Sequence, residues 1–284
     1  MGRYIKLFQN HSQYETFIGG GGDTPFVRPN VSHCIGENHV HYNPLLTVTC
    51  TFSVSDASVT TPICFYSNES GYSVLPSDNF TKVVVDGTVV TPSALDTAEG
   101  QYQLSVGEHT IVYYLTSETI NQATFVNCIN MTSATIGNGV SEIGNYGFIG
   151  CTNLTTLSIP STMTTIGIEA LINVTGKPLP LTTLNIDTPT VHTWFSSFST
   201  LQTVNLGSNV TAIDDGAFCA CQNLDAVSIR SISAINEDAI CDTVCMTVTY
   251  PSNMEEAYLP GALGYAFTGG DDIDSSEIYI TVLE

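Results

Sequence analysis

The chain has 284 residues, of which 12% are charged, and its 27 acidic residues against 6 basic ones give a net charge of -21. So acidic a surface repels phosphate backbones and anionic lipids, which argues against nucleic-acid binding and membrane-surface association. The length suits about two domains with a sizeable core, and no run approaches the ~18 consecutive apolar residues of a membrane span.

The first 43 residues differ from the rest of the chain. They hold too few apolar side chains for a core of their own, so residues 1–43 are expected to fold against another part of the chain or against a partner protein. Ser12-Gln13-Tyr14-Glu15 has the form of a capping box, which predicts a short helix from Gln13 to Ile18 that ends at Gly19–Gly22. The residues beyond Pro29 predict a hairpin that turns at Gly36–Asn38.

Four potential metal ligands, His33, Cys34, His39 and His41, crowd this predicted hairpin. Imidazole and thiolate groups are good ligands for zinc. On strands, His39 and His41 share one face while His33 and Cys34 point to opposite faces, so only a subset could converge on one ion. A hairpin with polar side chains is therefore the preferred interpretation, and a zinc site is the alternative.

The sequence from Tyr4 to Pro44 contains Y-I-K-L-F-Q-N-H-S-Q-Y-E-T-F and ends in P-N-V-S-H-C-I-G-E-N-H-V-H-Y-N-P. It resembles an N-terminal module that precedes variable β-modules and repeat arrays in proteins of crAss-like tailed phages of gut Bacteroidales. This resemblance implies a shared plug that anchors different display domains to a virion through other virion proteins. The side chains expected to make the attachment are Tyr4, Ile5, Leu7, Phe8, Tyr14, Phe17, Val31, Val40 and Tyr42.

Residues 44–120 contain several short segments in which apolar and polar side chains alternate. The predicted strands are Leu46–Val54, Lys82–Val90 with a turn at Asp86-Gly87, and Tyr102–Leu115 with a turn at Gly107-Glu108. Their spacing, with Pro and Gly between them, predicts a small immunoglobulin-like β-sandwich. The G-x-H-T-hydrophobic-x-Y pattern from Gly107 to Tyr113 resembles the last strands of such modules in bacterial surface proteins, which implies a spacer or display role.

Residues 121–250 repeat a pattern with a period of about 23 residues. Ile143 to Ile159 reads I-G-N-Y-G-F-I-G-C-T-N-L-T-T-L-S-I, and Ile213 to Ile229 reads I-D-D-G-A-F-C-A-C-Q-N-L-D-A-V-S-I. Each unit ends in a short strand with Leu, Val or Ile on one side, and such rows are buried only when neighbouring units stack into a solenoid. The predicted core positions are Phe125, Cys128, Ile143, Phe148, Cys151, Leu154, Ile159, Ile213, Phe218, Cys221, Leu224 and Ile229.

The run from Ile143 to Pro160 resembles the BspA-type leucine-rich repeat, which is common in surface and secreted proteins of gut bacteria. The resemblance covers residues 123–250 and implies a binding or display surface without catalytic residues. The middle repeats depart from the pattern, with Leu171 where Phe is expected and an insertion at Lys177–Pro180, so less regular packing is expected there. The repeat cysteines are interpreted as small buried packing groups rather than as disulfide or metal-binding cysteines.

Residues 251–284 are predicted to cap the open end of the solenoid with a short helix and a closing strand at Glu277–Glu284. An acidic cluster lies within this segment. Its carboxylates could bind calcium, but the cluster lacks the glycine and the spacing of an EF-hand loop, so an acidic solvated loop is preferred. The cluster consists of Asp271, Asp272, Asp274 and Glu277.

No sequence motif for catalysis or cofactor binding is found, so we expect a mainly β, non-enzymatic protein that binds neither cofactor nor metal. The start of the chain lacks the apolar core and cleavage site of a signal peptide, which favours assembly in a host cytoplasm. We therefore expect a virion component, such as a capsid decoration, head fibre or tail appendage. The repeats would face a host-surface protein or glycan, and the protein would be a homo-oligomer, with a trimer as the expected state. The alternative is a bacterial cell-surface adhesin or carbohydrate-binding protein.

Overall fold

The computed structural model describes residues 3–6, 14–18, 26–29, 46–69, 72–230, 234–235, 239–240, 246–251 and 278–283. The chain divides into two units, Met1–Tyr42 and Asn43–Glu284. Among the described residues, no helix is long and apolar enough to cross a membrane.

The first unit contains strands β1 (Arg3–Lys6), β2 (Tyr14–Ile18) and β3 (Phe26–Pro29). They form an antiparallel sheet in the order β1-β2-β3. The helix predicted from Gln13 to Ile18 is therefore wrong. The aromatic and β-branched residues of Y-E-T-F-I favour a strand, and pairing on both edges outweighs the local capping signal.

The second unit begins with nine strands and two short helices. They are β4 (Thr47–Val54), β5 (Thr61–Pro62), β6 (Ser67–Glu69), β7 (Tyr72–Val74), α1 (Pro76–Asn79), β8 (Phe80–Val85), β9 (Thr88–Val90), α2 (Pro92–Thr97), β10 (Gln101–Tyr102), β11 (Gly107–Leu115) and β12 (Thr119–Ile120). The predicted turn at Asp86-Gly87 is confirmed, with positive φ values of 48° and 82° that suit a two-residue hairpin. The predicted turn at Gly107 is wrong, because Gly107 begins β11 and pairs with Val54.

The repeats supply the remaining strands. They are β13 (Met131–Ile136), β14 (Glu142–Ile143), β15 (Thr156–Ile159), β16 (Thr165–Ile166), β17 (Thr183–Ile186), β18 (Thr190–Val191), β19 (Thr203–Leu206), β20 (Ala212–Ile213), β21 (Ala226–Ser228), β22 (Ala234–Ile235), β23 (Met246–Pro251) and β24 (Ile278–Leu283), with a 3-10 helix at Thr193–Phe195. The odd-numbered strands from β13 to β23 pair in parallel, one per repeat, which confirms the predicted solenoid. The short strands form two ladders on another side, β12-β14-β16 and β18-β20-β22.

One 11-stranded sheet joins the repeats to the segment that precedes them. Strand β4 pairs antiparallel with β11 on one side and with β13 on the other. The predicted separate immunoglobulin-like sandwich is therefore corrected: these strands are the antiparallel end of the repeat sheet. Alternation along Thr47–Val54 predicts one buried face correctly, but it does not specify which layer covers that face.

A continuous core runs beneath this sheet. The ring of Phe125 lies 5.0 Å from Tyr113, in the end segment, and 5.0 Å from Phe148, in the next repeat, measured between centroids. All twelve predicted core residues of the repeats are buried, with at most 3% of each exposed. Leu171, which replaces the expected Phe, is also buried. The apolar rows of successive repeats therefore cover one another, as stacking of the units requires.

The buried cysteines act as packing groups that also satisfy main-chain carbonyls. The Cys151 Sγ lies 3.0 Å from the Phe125 carbonyl oxygen, and the Cys221 Sγ lies 3.2 Å from that of Phe195. Burial raises the pKa of the Cys221 thiol to about 11, so the thiol keeps its proton and can donate it. Cys219 differs from the predicted interpretation because it is disulfide-bonded.

The turns of the repeats hold non-glycine residues in the left-handed region at regular intervals. Ala123, Tyr146 and Glu169 have φ values of 60°, 60° and 56°, and Ala220 in a later turn has 59°. A left-handed conformation costs a residue with a Cβ about 1–2 kcal/mol. The turn geometry is therefore set by stacking of the repeats rather than by local preference.

Candidate ligand-binding face

The exposed side of the repeat sheet carries two rows of small side chains, all of them polar except that of Ala226. Following the strand register, one row is Thr51, Ser133, Thr156, Thr183, Thr203 and Ala226, and the other is Thr49, Thr135, Ser158, Asn185, Asn205 and Ser228. Their in-strand neighbours point into the core because successive residues face opposite sides. Neither row contains a charged or aromatic side chain across these strands.

A chain of side-chain hydrogen bonds crosses three neighbouring repeats in the second row. Asn205 Nδ2 donates to Asn185 Oδ1 at 2.8 Å, and Asn185 Nδ2 donates to Ser158 Oγ at 2.9 Å. The amide planes are therefore fixed and aligned in one direction. Among the described residues, Asn205 Oδ1 receives no hydrogen bond and the Ser158 hydroxyl donates none. We name this set, Ser158, Asn185 and Asn205, the amide ladder.

A shallow groove of about 360 Å³ follows the amide ladder at the carboxyl ends of the strands. The groove is lined by Thr135, Ile136, Asn138, Ser158, Ile159, Pro160, Asn185, Ile186, Asp187, Asn205, Leu206, Gly207 and Arg230. Four successive repeats each contribute a polar side chain and the aliphatic residue that follows it. The groove therefore runs across the strands, at a repeat distance of about 4.8 Å per strand.

One acidic and one basic side chain line this groove. The Asp187 carboxylate accepts hydrogen bonds from the Asn209 main-chain N–H at 3.0 Å and from Asn209 Nδ2 at 2.7 Å. Gly207 allows this arrangement, since a Cβ at that position would clash with Asp187 Oδ1. Arg230 is exposed and makes no ion pair with any described residue. The groove therefore presents one negative and one positive charge, the Asp187 carboxylate and the guanidinium of Arg230.

Comparison with known proteins identifies the repeats. The profile of the BspA type leucine-rich repeat region, in six copies, matches residues 118–241 and 188–259, which together make up half of the 284 residues. The chain belongs to the BspA type leucine-rich repeat family. No curated protein and no solved structure matches it. The grooved face is therefore the exposed sheet of a BspA-type array.

The structure brings the predicted repeat-core residues together, describes four of the predicted attachment residues and does not describe the predicted metal ligands. Four of the proposed attachment residues, Tyr4, Ile5, Tyr14 and Phe17, lie on strands of the first unit. The remaining predicted site residues fall outside the described residues: Leu7, Phe8, Val31, Val40 and Tyr42 for attachment, and His33, Cys34, His39, His41, Asp271, Asp272, Asp274 and Glu277 for metal. Within the described part of the chain, no group of three metal-binding side chains occurs.

A pair formed by the buried His109 and the exposed Asp86 lies in the segment that precedes the repeats. His109 is 8% exposed, and its Nδ1 lies 2.6 Å from Asp86 Oδ2 while its Nε2 lies 3.0 Å from the Ser105 carbonyl oxygen. The hydrogen bond to Asp86 raises the pKa of His109, and the same bond, together with the Thr110 N–H, lowers the pKa of Asp86. Both ring nitrogens face acceptors, so the charged imidazolium suits the site. The pair fixes the hairpin turn rather than the groove.

The amide ladder and the groove were not found from the sequence. The letters L-T-T-L-N-I at Leu181–Ile186 and L-Q-T-V-N-L at Leu201–Leu206 place Asn at the same repeat position. This coincidence is the signal that could have revealed the ladder. Within one strand this Asn indicates only the polar side of the strand, because a single strand does not show which polar residues become neighbours.

Proposed function

We propose that the protein is a non-enzymatic display protein whose repeat sheet binds a glycan in the groove beside the amide ladder. The observation that carries this proposal is the groove itself: an uncharged, pre-aligned row of amide and hydroxyl groups crossing four repeats, with Arg230 at its end. Such a row offers donors and acceptors to a polyhydroxylated ligand without any rearrangement of its own side chains.

The spacing of the ladder favours a glycan over an extended peptide. Polar groups recur across the groove about every 4.8 Å, whereas side chains on one side of an extended peptide recur about every 6.6 Å. A peptide would lose register within two repeats. A glycan carries hydroxyls on every part of each ring and can satisfy the row at several positions.

The first unit is proposed to attach the protein to a virion. The support for this placement is the resemblance of Tyr4–Pro44 to the N-terminal module of crAss-like phage proteins, together with its separation from the repeats as a unit of its own. Residues 1–42 carry three basic residues against three acidic ones, so the whole charge of -21 belongs to residues 43–284. A neutral attachment unit can approach other virion proteins without the repulsion that the rest of the chain would meet.

The family itself favours a second candidate. BspA-type repeats are typical of surface and adhesin-like proteins, so a bacterial cell-surface adhesin or carbohydrate-binding protein would use the same grooved face. Mass spectrometry and immunogold labelling of purified particles separate the two candidates. Presence on virions, lost when residues 1–43 are deleted, supports the first; absence from virions together with labelling of bacterial cells supports the second.

A glycan array tests the binding proposal. The purified full chain is applied beside two variants with the same substitution: Asn185→Ala at the centre of the amide ladder and Asn223→Ala in an exposed turn away from the groove. We expect neutral oligosaccharides to bind the wild type and Asn223→Ala equally, and Asn185→Ala at least about tenfold more weakly. Binding that survives in Asn185→Ala, or no glycan binding at all, would refute the proposal.

Weak single-site binding is sufficient for such a protein if several copies act together. Linking sites on one particle raises avidity by about 10²-fold or more without new contacts. We expect a symmetric homo-oligomer, with a trimer as the predicted state. Sedimentation equilibrium of the full chain measures this number directly, and a monomer at all concentrations would contradict it.

A further inference from the structure

The short strands opposite the sheet are joined by one main-chain hydrogen bond that recurs from repeat to repeat. In each case the residue after a short strand donates its N–H to the last carbonyl oxygen of the preceding short strand. These bonds join Gly144 N to Ile120 O at 2.7 Å, Gly167 N to Ile143 O at 2.7 Å, and Asp214 N to Val191 O at 2.9 Å. The same relation predicts a bond from His192 N to Ile166 O.

The bond from His192 N to Ile166 O is missing, and so is the main-chain bond that would join residue 189 to the Thr164 carbonyl oxygen. Strands β16 and β18 are not paired, and among the described residues neither His192 N nor Ile166 O has a hydrogen-bond partner. Pro189 occupies the position equivalent to Thr211 and Thr164, whose N–H groups bond to the preceding repeat. Because proline has no N–H, the equivalent hydrogen bond to the Thr164 carbonyl oxygen cannot form. The interruption therefore follows from the sequence Asp187-Thr188-Pro189.

A groove of about 210 Å³ lies beside this interruption, with Ile166 in its lining. Its apolar lining comes from Ile166, Leu171, Ile172, Pro178, Trp194 and Phe198. Trp194 is the only tryptophan of the chain and is half-buried. Next to the lining, Ile168 is 69% exposed. Unpaired main-chain groups beside an apolar cavity form the kind of edge to which another chain can add by pairing.

The charge at the groove selects for a basic occupant. Glu169 is exposed and lines the groove, and it makes no ion pair with any described residue. The surrounding unit carries a net charge of -21, and a single basic residue, Lys177, lies beside the lining. An acidic segment would therefore be repelled, whereas a segment with Lys or Arg next to its apolar residue would be attracted.

We propose that this interruption is a docking site for an extended, basic peptide segment of a partner protein. A main-chain N–H of the segment donates to the Ile166 carbonyl oxygen, and a carbonyl of the segment accepts from the His192 N–H. One bulky aliphatic side chain enters the cavity against Trp194, and a basic side chain lies beside Glu169. The site is distinct from the grooved sheet face, so it gives the protein a second partner.

Trp194 emission reports on this groove alone, because the chain has no other tryptophan. The full chain is titrated with acetyl-Lys-Val-Leu-Val-Lys-amide, and binding is confirmed by calorimetry. We expect a saturable shift of the emission. The same peptide with Glu in place of Lys, or with its central amides N-methylated, is expected to bind at least about tenfold more weakly. Equal binding of the N-methylated peptide, or no binding by either measurement, would overturn the proposal.

Two variants and one control complete the test. Glu169→Gln removes the charge in place and should reduce the preference for the Lys peptide over the Glu peptide several-fold. Ser196→Arg places a long cationic side chain in the groove and should abolish binding, while Gln222→Arg, in an exposed turn, should not alter it. Circular dichroism checks that each variant is folded. Trp194 emission that changes with protein concentration alone would show that a second copy fills the groove, which also contradicts the proposal.

Discussion

Two alanines of one repeat should respond oppositely to the same substitution. Ala220 is half-buried and has a φ of 59°, whereas Ala226 is half-buried on strand β21. In Ala220→Gly, loss of the strain of the left-handed conformation should stabilise the folded protein by about 1–2 kcal/mol. The greater freedom of glycine in the unfolded chain should destabilise the folded protein by about 0.4–1 kcal/mol. In Ala226→Gly no strain is relieved, so the change costs about 0.5–1 kcal/mol. The two variants should differ by about 1–2 kcal/mol.

Thermal unfolding of the full chain, followed by circular dichroism, measures this difference. In a unit of this size 1 kcal/mol corresponds to about 2–4 °C, so Ala220→Gly should melt above the wild type and Ala226→Gly below it. Because both variants lose one methyl group in one repeat, general effects of the substitution cancel. Equal losses in the two variants would refute the reasoning that stacking forces the turn residues into the left-handed region.

Three further predictions address the core, the histidine pair and the groove. Phe148→Ala removes a fully buried ring stacked on its neighbour and should cost about 3–5 kcal/mol in urea unfolding; a loss below about 1 kcal/mol would contradict a continuous core. The pair of Asp86 and His109 should stabilise the folded protein most between pH 3.8 and 6.5, the ordinary pKa values of the two groups. Because the pKa of Asp86 is lowered in the fold, its stabilising contribution is lost as pH falls through that lowered pKa. Because the pKa of His109 is raised in the fold, its stabilising contribution is lost as pH rises through that raised pKa. The stability difference between wild type and Asp86→Asn should therefore peak in this range; a difference independent of pH would contradict the pairing. Gly207→Ala should displace the Asp187 carboxylate and weaken glycan binding while the circular dichroism spectrum stays unchanged; unaltered binding would place the ligand elsewhere.

The sequence predicts the repeats well because their signal is periodic and each copy supports the others. Phe148, Cys151 and Leu154 recur as Phe218, Cys221 and Leu224, and stacking buries all six. The Asp86-Gly87 turn was also predictable, since its conformation depends on two adjacent residues. Predictions from local sequence patterns are wrong where pairing between distant residues decides the structure.

Two errors show this limit. Strand β2 carries a capping box yet pairs on both edges as a strand, and β4 joins the repeat sheet rather than a sandwich of its own. The amide ladder and the interruption at Pro189 were missed for a related reason. Both depend on which residues of different repeats become neighbours, and degenerate repeats of unequal length conceal that register.

The missing main-chain hydrogen bonds beside Pro189 also make the two sides of the array differ in how firmly successive repeats are joined. On the sheet side, β15, β17 and β19 are bonded without a break, but on the opposite side β16 and β18 share no bond. Two successive repeats are thus joined by main-chain hydrogen bonds at the sheet and by packing of the core, but not by hydrogen bonds between their short strands. We expect a load applied through a ligand on the last repeats to bend the array at this point before it separates any strand of the sheet. We expect the side of the short strands to open, because no pairing between β16 and β18 resists it.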